Sequence, residues 1–221
     1  MKPISAFACA GLLATVSFNA SSSPAPTWYL GIDYMQSDIL WDNDYNRVKG
    51  TVIDAKLEES LTGVSFNLGR VMNDWWAVEM NYSSTGTDSM TDTRYFTGGA
   101  GVESYLARFD HDSISIGPKL TWRTDFNMMF YAKPTLHYSW TKTNVNYDNI
   151  SSVSVGRIEV KEKRTNTHFG LEVGAEYYFS NNYAVHIALQ RQYDGLRVVD
   201  QFYNDEKFDL DSLKVGLNYY F

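Results

Sequence analysis

Disulfides, membrane-spanning helices and an excess of positive charge are all missing from this 221-residue chain. Its one cysteine, Cys9, lies in an apolar N-terminal run, so no cross-linked framework holds the remainder together. After residue 20 no stretch approaches the ~20 apolar residues that a helix needs to cross a bilayer. That absence excludes helical spans and leaves strands open, because a barrel strand needs an apolar residue only at every second position. Bases are outnumbered: 19 Lys and Arg stand against 26 Asp and Glu. An acidic chain is a poor general binder of nucleic acid or of anionic lipid surfaces.

What is present begins with a leader. Met1 and Lys2 give a positive start, Ala6 to Phe18 carries no charge, and small residues follow at Ala20, Ser21 and Ser22. The run is too short to span a membrane and reads as a secretory signal over 1–22, with the cleavage boundary open between Ala20 and Ser22. Loss of Lys2 with the leader takes the formal charge from −7 to about −8. Cys9 sits too early for a lipoprotein box and is expected to leave with the leader. The mature domain is expected over 27–221, enough for one barrel with long loops.

Eight segments then alternate with period two, which puts one row of side chains on each side of a sheet. Their apolar rows begin with Trp28, Leu30, Ile32 and Tyr34 and end with Leu213, Val215, Leu217, Tyr219 and Phe221. Between them come rows led by Thr62, Trp76, Ile114, Phe130, Phe169 and Tyr183. Tight polar links at Asn73-Asp74, 125–127 and 180–182 alternate with long ones at roughly 40–58, 84–109, 142–166 and 193–209. Short connections on one side and long ones on the other fit the periplasmic turns and extracellular loops of an outer-membrane barrel. Pro118 and Pro134 fall inside two segments. A proline lacks the donor a central strand uses, so local bulges are expected at both.

Alternation alone does not say which row faces lipid; a soluble lipocalin would put the apolar row inside. Aromatics decide it. Trp28, Trp76, Trp122, Phe130, Phe179, Tyr183 and Phe221 mark the short-turn end of the apolar row, and Tyr34, Tyr82, Tyr138 and Trp140 mark the other. Two belts around an aliphatic band match the two membrane interfaces. The opposite row is rich in Gly and Ser and carries Asp33, Glu79, Glu172 and Glu176 against Lys119, Arg123, Lys133 and Lys214. Matched charge suits a closed interior, where an unpaired ion is costly. Glu79, Lys119, Lys133 and Glu176 are expected to form one layer near the short-turn end. Arginine at Val173 is expected to be costly, and serine at Gly174 on the inward row far less so. The fold class is therefore all-β: an eight-stranded antiparallel up-and-down transmembrane β-barrel.

The opening Trp28-Tyr29-Leu30-Gly31, the loop asymmetry and the ending Val215-Gly216-Leu217-Asn218-Tyr219-Tyr220-Phe221 resemble the OmpA/OmpX-like family of eight-stranded outer-membrane barrels. The resemblance covers Trp28 to Phe221 and implies a Gram-negative outer-membrane location, with loops extracellular and termini periplasmic. It also implies assembly through a C-terminal signal ending at Phe221, read by the barrel-assembly machinery. The family includes adhesins, anchors, narrow channels and lipid-modifying enzymes. Nothing follows Phe221, so the peptidoglycan-binding role of two-domain members is not expected.

Several groups invite chemistry. His111, His137 and His168 point inward near the outer rim on adjacent strands, where neutral imidazoles would suit a metal or a pH-sensitive site. A polar lining is the plainer alternative, and no metal or cofactor is expected. Ser139, two residues from His137, and Glu172 across from it would be the partners of a lipid-modifying enzyme. Asp42-Asn43-Asp44-Tyr45-Asn46 spaces oxygens like a calcium loop but has Arg47 where the glycine belongs. It reads as a solvated acidic loop. Arg157, Lys161, Lys163 and Arg164 alternate with Ile158 and Val160, as in a hairpin that continues two strands above the membrane. Its bases would meet lipopolysaccharide phosphates and its edge a partner strand. The expected role is non-enzymatic: a monomer serving membrane integrity, adhesion or ligand contact through its loops. The alternatives are a narrow channel for small solutes or hydrophobic compounds and an outer-leaflet lipid enzyme.

Overall fold

The computed structural model describes residues 28–40, 60–86, 90–95, 101–124, 126–151, 155–199 and 205–221. The leader and the Asp42–Arg47 loop lie outside the described residues. The described residues form nine strands: β1 (Trp28–Leu40), β2 (Ser60–Asn73), β3 (Trp76–Gly86), β4 (Met90–Tyr95), β5 (Gly101–Arg123), β6 (Met128–Ser151), β7 (Val155–Tyr178), β8 (Tyr183–Val199) and β9 (Asp205–Tyr220). All pairings are antiparallel, and β3–β5 together with β1–β9 closes the wall. Eight strands form that wall. The ninth, β4, pairs among the described residues with the Val102–Ala107 part of β5. At the closing seam Trp28 N donates to Phe221 O at 3.2 Å and Phe221 N to Trp28 O at 2.9 Å. Closure leaves no wall edge for lipid to meet, which a spanning sheet requires.

The sidedness follows the alternation. Leu30, Phe66, Met80, Ile116, Leu136, Val173, Ile187 and Val215 are exposed on the outer face, while Tyr29, Ser65, Glu79, Ser115, His137, Glu172, Ala188 and Lys214 beside them are buried. The aromatic belts are present at both ends. Tyr183 stacks near Phe179 (6.0 Å) and Tyr219 (5.0 Å), and Trp140 meets Tyr82 (6.5 Å) and Tyr138 (6.2 Å). The short turns are fixed by side chains. Asn73 Oδ1 accepts from the backbone N–H of Trp75 (3.0 Å) and Trp76 (3.1 Å), and Ser180 Oγ accepts from Tyr183 (3.1 Å).

Three expectations are corrected. No bulge occurs at the prolines: β5 and β6 pair through Ile116–Leu136, skip the rungs between, and resume in the same register at Leu120–Ala132. Pro118 and Pro134 are therefore opposite one another, while each keeps its rung on the other side, with Val78 and Leu171. Both missing donors point at one gap, which costs a local interruption instead of two separate distortions. Register shifts fall elsewhere, between Val71 and Asn73 and between Gln192 and Leu196. Arg123 is not interior; it is exposed at the strand end, its guanidinium 5.7 Å from the Tyr178 ring. Gly174 is not a tolerant site, because a Cβ there would lie 2.6 Å from both Ile187 O and the Tyr131 ring.

Candidate functional site

The expected layer of Glu79, Lys119, Lys133 and Glu176 exists and extends further. Read along its contacts, it runs Glu176–Lys119–Glu79–Lys133–Glu172–Lys214 across the barrel, alternating sign throughout. Lys119 lies 3.5 Å from Glu79, Lys133 2.8 Å from Glu172, and Lys214 2.9 Å from Glu172; the other two links are direct contacts. Each carboxylate also accepts from a phenol: Glu79 from Tyr29, Glu172 from Tyr131 (3.1 Å), and Glu176 from Tyr220 (2.6 Å) and Tyr178 (3.2 Å). Lys119 Nζ further sits 4.3 Å from the Tyr131 ring. Three acids and three bases, all buried, are thus paired and hydrogen-bonded, the condition under which ions survive inside a protein.

The fourth acid, Asp33, takes a partner the sequence reading passed over. His186 Nε2 is 2.9 Å from Asp33 Oδ1, while Ser65 (2.6 Å) and Asn67 (2.9 Å) donate to Oδ2. His186 holds the place that Arg123 was expected to fill. Its inward parity on β8 was the available signal. Above this level the interior becomes apolar on one side, where Met35, Ile39, Leu61, Leu196, Phe208 and Leu210 are all buried. The inward row of β9 shows the change, from Ser212 to Leu210 and Phe208.

All three rim histidines point inward and are buried. His137 and His168 are cross-strand partners, stacked at 4.8 Å with 11° between planes. His111 stands apart, its Nδ1 3.0 Å from Thr141 Oγ1. Among the described residues no group of three His, Cys, Asp or Glu side chains is placed to hold a metal. The enzyme-like trio is not brought together: Ser139 Oγ donates to Gly195 O at 3.4 Å, His137 Nε2 is 2.8 Å from Thr135 Oγ1, and Glu172 is taken up by two lysines.

Strand pairing continues past the upper belt. β6 and β7 stay paired to Ile150–Val155, and β4 adds to β5 from Met90–Ala107 to Tyr95–Val102, giving a sheet of β4, β5, β6 and β7. This bears out the expected hairpin. Lys161 pairs with Glu159 and Arg164 with Glu162 (3.5 Å), and all four are partly solvated. On the neighbouring wall Arg191 donates two hydrogen bonds to the exposed Asp211. Those bonds hold the Asp211 carboxyl below the usual carboxylate range and push Arg191 up.

A closed eight-stranded barrel with a lipid-facing apolar row, two aromatic belts and a filled polar interior is an outer-membrane barrel. The sequence matches the family described as outer membrane protein beta-barrel domain over residues 5–221, and the chain belongs to that family and to the Gram-negative outer membrane. The fold is similar to Ail, the attachment invasion locus protein of Yersinia pestis (TM-score 0.51, 16% identity, 90% of this chain and 100% of that one). A second Ail structure, in complex with the heparin analogue sucrose octasulfate, gives a TM-score of 0.52 at 16% identity, covering 90% of this chain and 100% of that one. OprG from Pseudomonas aeruginosa aligns at 0.50 and 13% identity over 89% of this chain and 97% of its own. No curated protein sequence matches significantly.

Proposed function

We propose that this protein is a closed surface barrel that contacts ligands through its projecting hairpins, in adhesion or in related surface interactions. One observation carries the reading: the lumen is crossed by side chains while the strands continue as paired sheet beyond the aromatic belt. From Trp140 to the end of β6 at Ser151 the strand covers roughly 35 Å. Ordered sheet of that reach costs conformational entropy, and a plain membrane plug has no use for it. The hairpin end faces outward and the termini face the periplasm, since the short side-chain-capped turns lie with the termini. The monomer contacts lipid and lipopolysaccharide along its outer face, and the Phe221 end is the segment read by the assembly machinery. An interior this full disfavours the channel reading, and the separated Ser139, His137 and Glu172 disfavour the lipid-enzyme reading.

The test compares cells carrying the full chain with cells in which residues 145–158 are replaced by an Asn-Gly turn. Because Ail was solved with a heparin analogue, heparin-coated and matrix-coated surfaces are the first probes. Attachment should fall to the level of cells lacking the protein while heat-modifiable folded protein is unchanged. Equal attachment to every surface would contradict the proposal.

A further inference from the structure

The stacked His137–His168 pair lies where the β6–β7 hairpin leaves the wall. The β7–β8 ladder ends at Gly170–Gln192, two residues below His168. Above that rung β7 is held to β6 by backbone pairing, and to β8 by side-chain bonds that include His168 to Gln192 (3.0 Å), Asn166 donating to Asp194 O and Arg197 to Thr165 O (3.0 Å). The neighbouring strand is also irregular there: Asp194 has φ 54° and the β8–β9 register shifts between Gln192 and Leu196. The pair therefore occupies the root of a hinge.

Its hydrogen bonding leaves one nitrogen free on each ring. Gln192 Oε1 can only accept, so His168 Nε2, 3.0 Å away, carries the proton and its Nδ1 is a bare lone pair. His137 uses Nε2 toward Thr135. Both Nδ1 atoms are buried and have no partner. The pair's charged surroundings are Lys133 on β6, Glu172 on β7, Asp194 on β8, Lys207 and Lys214 on β9, with His111 from β5. Glu172 is already bound by Lys133 and Lys214, and Asp194 is exposed. Asp194 is the one acid in that set outside the lysine chain, and a single solvent-exposed carboxylate cannot balance two protons added to the stack.

We infer that His137 and His168 form an acid-operated latch at the root of the β6–β7 hairpin. Adding a proton to each ring, at Nδ1 of His168 and at the bare nitrogen of His137, places two like charges on rings 4.8 Å apart in a buried site, and the strands separate above that rung. The step is local, because β7 is paired on both edges below Gly170. That the latch changes ligand contact rests on the proposed surface role; that it opens does not.

Amide hydrogen exchange of the full-length protein in lipid nanodiscs, at pH 7.5 and pH 4 and corrected for intrinsic rates, tests it. Segment 155–167 and the β7-facing amides of 138–150 should lose protection tenfold or more at pH 4, while the β5-facing amides of 138–150 and segments 28–34 and 214–220 hold. His137→Gln/His168→Gln, verified as heat-modifiable, should remove that step. Should the double variant not fold, His168→Gln alone should reduce the step by at least half. A wild type without the step, or a variant that keeps it in full, would overturn the latch. Heparin attachment at pH 7.5 is read separately, so failure of the surface role and failure of the latch are distinguishable.

Discussion

At Glu79 two lysines from neighbouring strands meet one carboxylate, and the geometry ranks them. Lys133 makes the direct contact and Lys119 stands at 3.5 Å. Glu79→Gln should cost about 3–5 kcal/mol, because it leaves buried ammonium charge without its partner. In double-mutant cycles the coupling of Glu79 to Lys133→Met should exceed that to Lys119→Met, read by urea unfolding in lipid. Strict additivity in both cycles would mean that the charges do not form one network. On the outer row Val173→Arg should cost ~2–4 kcal/mol if that residue lies near the bilayer midplane. Gly174→Ser should also destabilise, since Ile187 O is backbone and cannot give way. Parity in the sequence was enough to find Glu79, Lys119, Lys133 and Glu176. It did not link Glu172 and Lys214 to them, because relative height depends on strand stagger, which no single strand encodes. Arg123 was misplaced for a related reason. It is the last residue of β5, paired with Met129 at the mouth of the turn, where a long side chain reaches solvent past the final rung.

Among the elements, the short turns are set by chemistry that sequence displays, and the long hairpins are not. Asn127, with φ 56°, closes the turn between β5 and β6. Asn127→Val should destabilise by about 1–2 kcal/mol and Asn127→Gly should be close to neutral, as measured by thermal or urea unfolding. Strands inside the lipid band were legible because one face meets lipid and the other a packed interior, which forces a period of two. Above the belt Glu159, Lys161, Glu162 and Arg164 of β7 are partly solvated, no apolar row is required, and β4 left no periodic trace. The Pro118–Pro134 pairing was hidden for another reason. It depends on the β5–β6 register, and each proline seen alone argues for a bulge.

Taken whole, the molecule is a wall closed by its own ends and an interior closed by its own charges. Deleting Phe221 removes both backbone bonds to Trp28 together with the terminal belt aromatic. The fraction of heat-modifiable folded protein in outer-membrane preparations should fall, and an unchanged yield in cells would remove any special role for that end. Sequence identified the architecture because a membrane imposes its pattern on every strand. It left the function open because the proposed ligand contact lies in segments without such a constraint. The account depends most on the lumen being shut by the chain from Glu176 to Lys214. Planar-bilayer recording of the purified protein at neutral pH tests this most directly. The account predicts no discrete conductance steps for the wild type and ion leakage when Glu79→Gln breaks the chain. Steady, stepwise openings of the unmodified protein would contradict it.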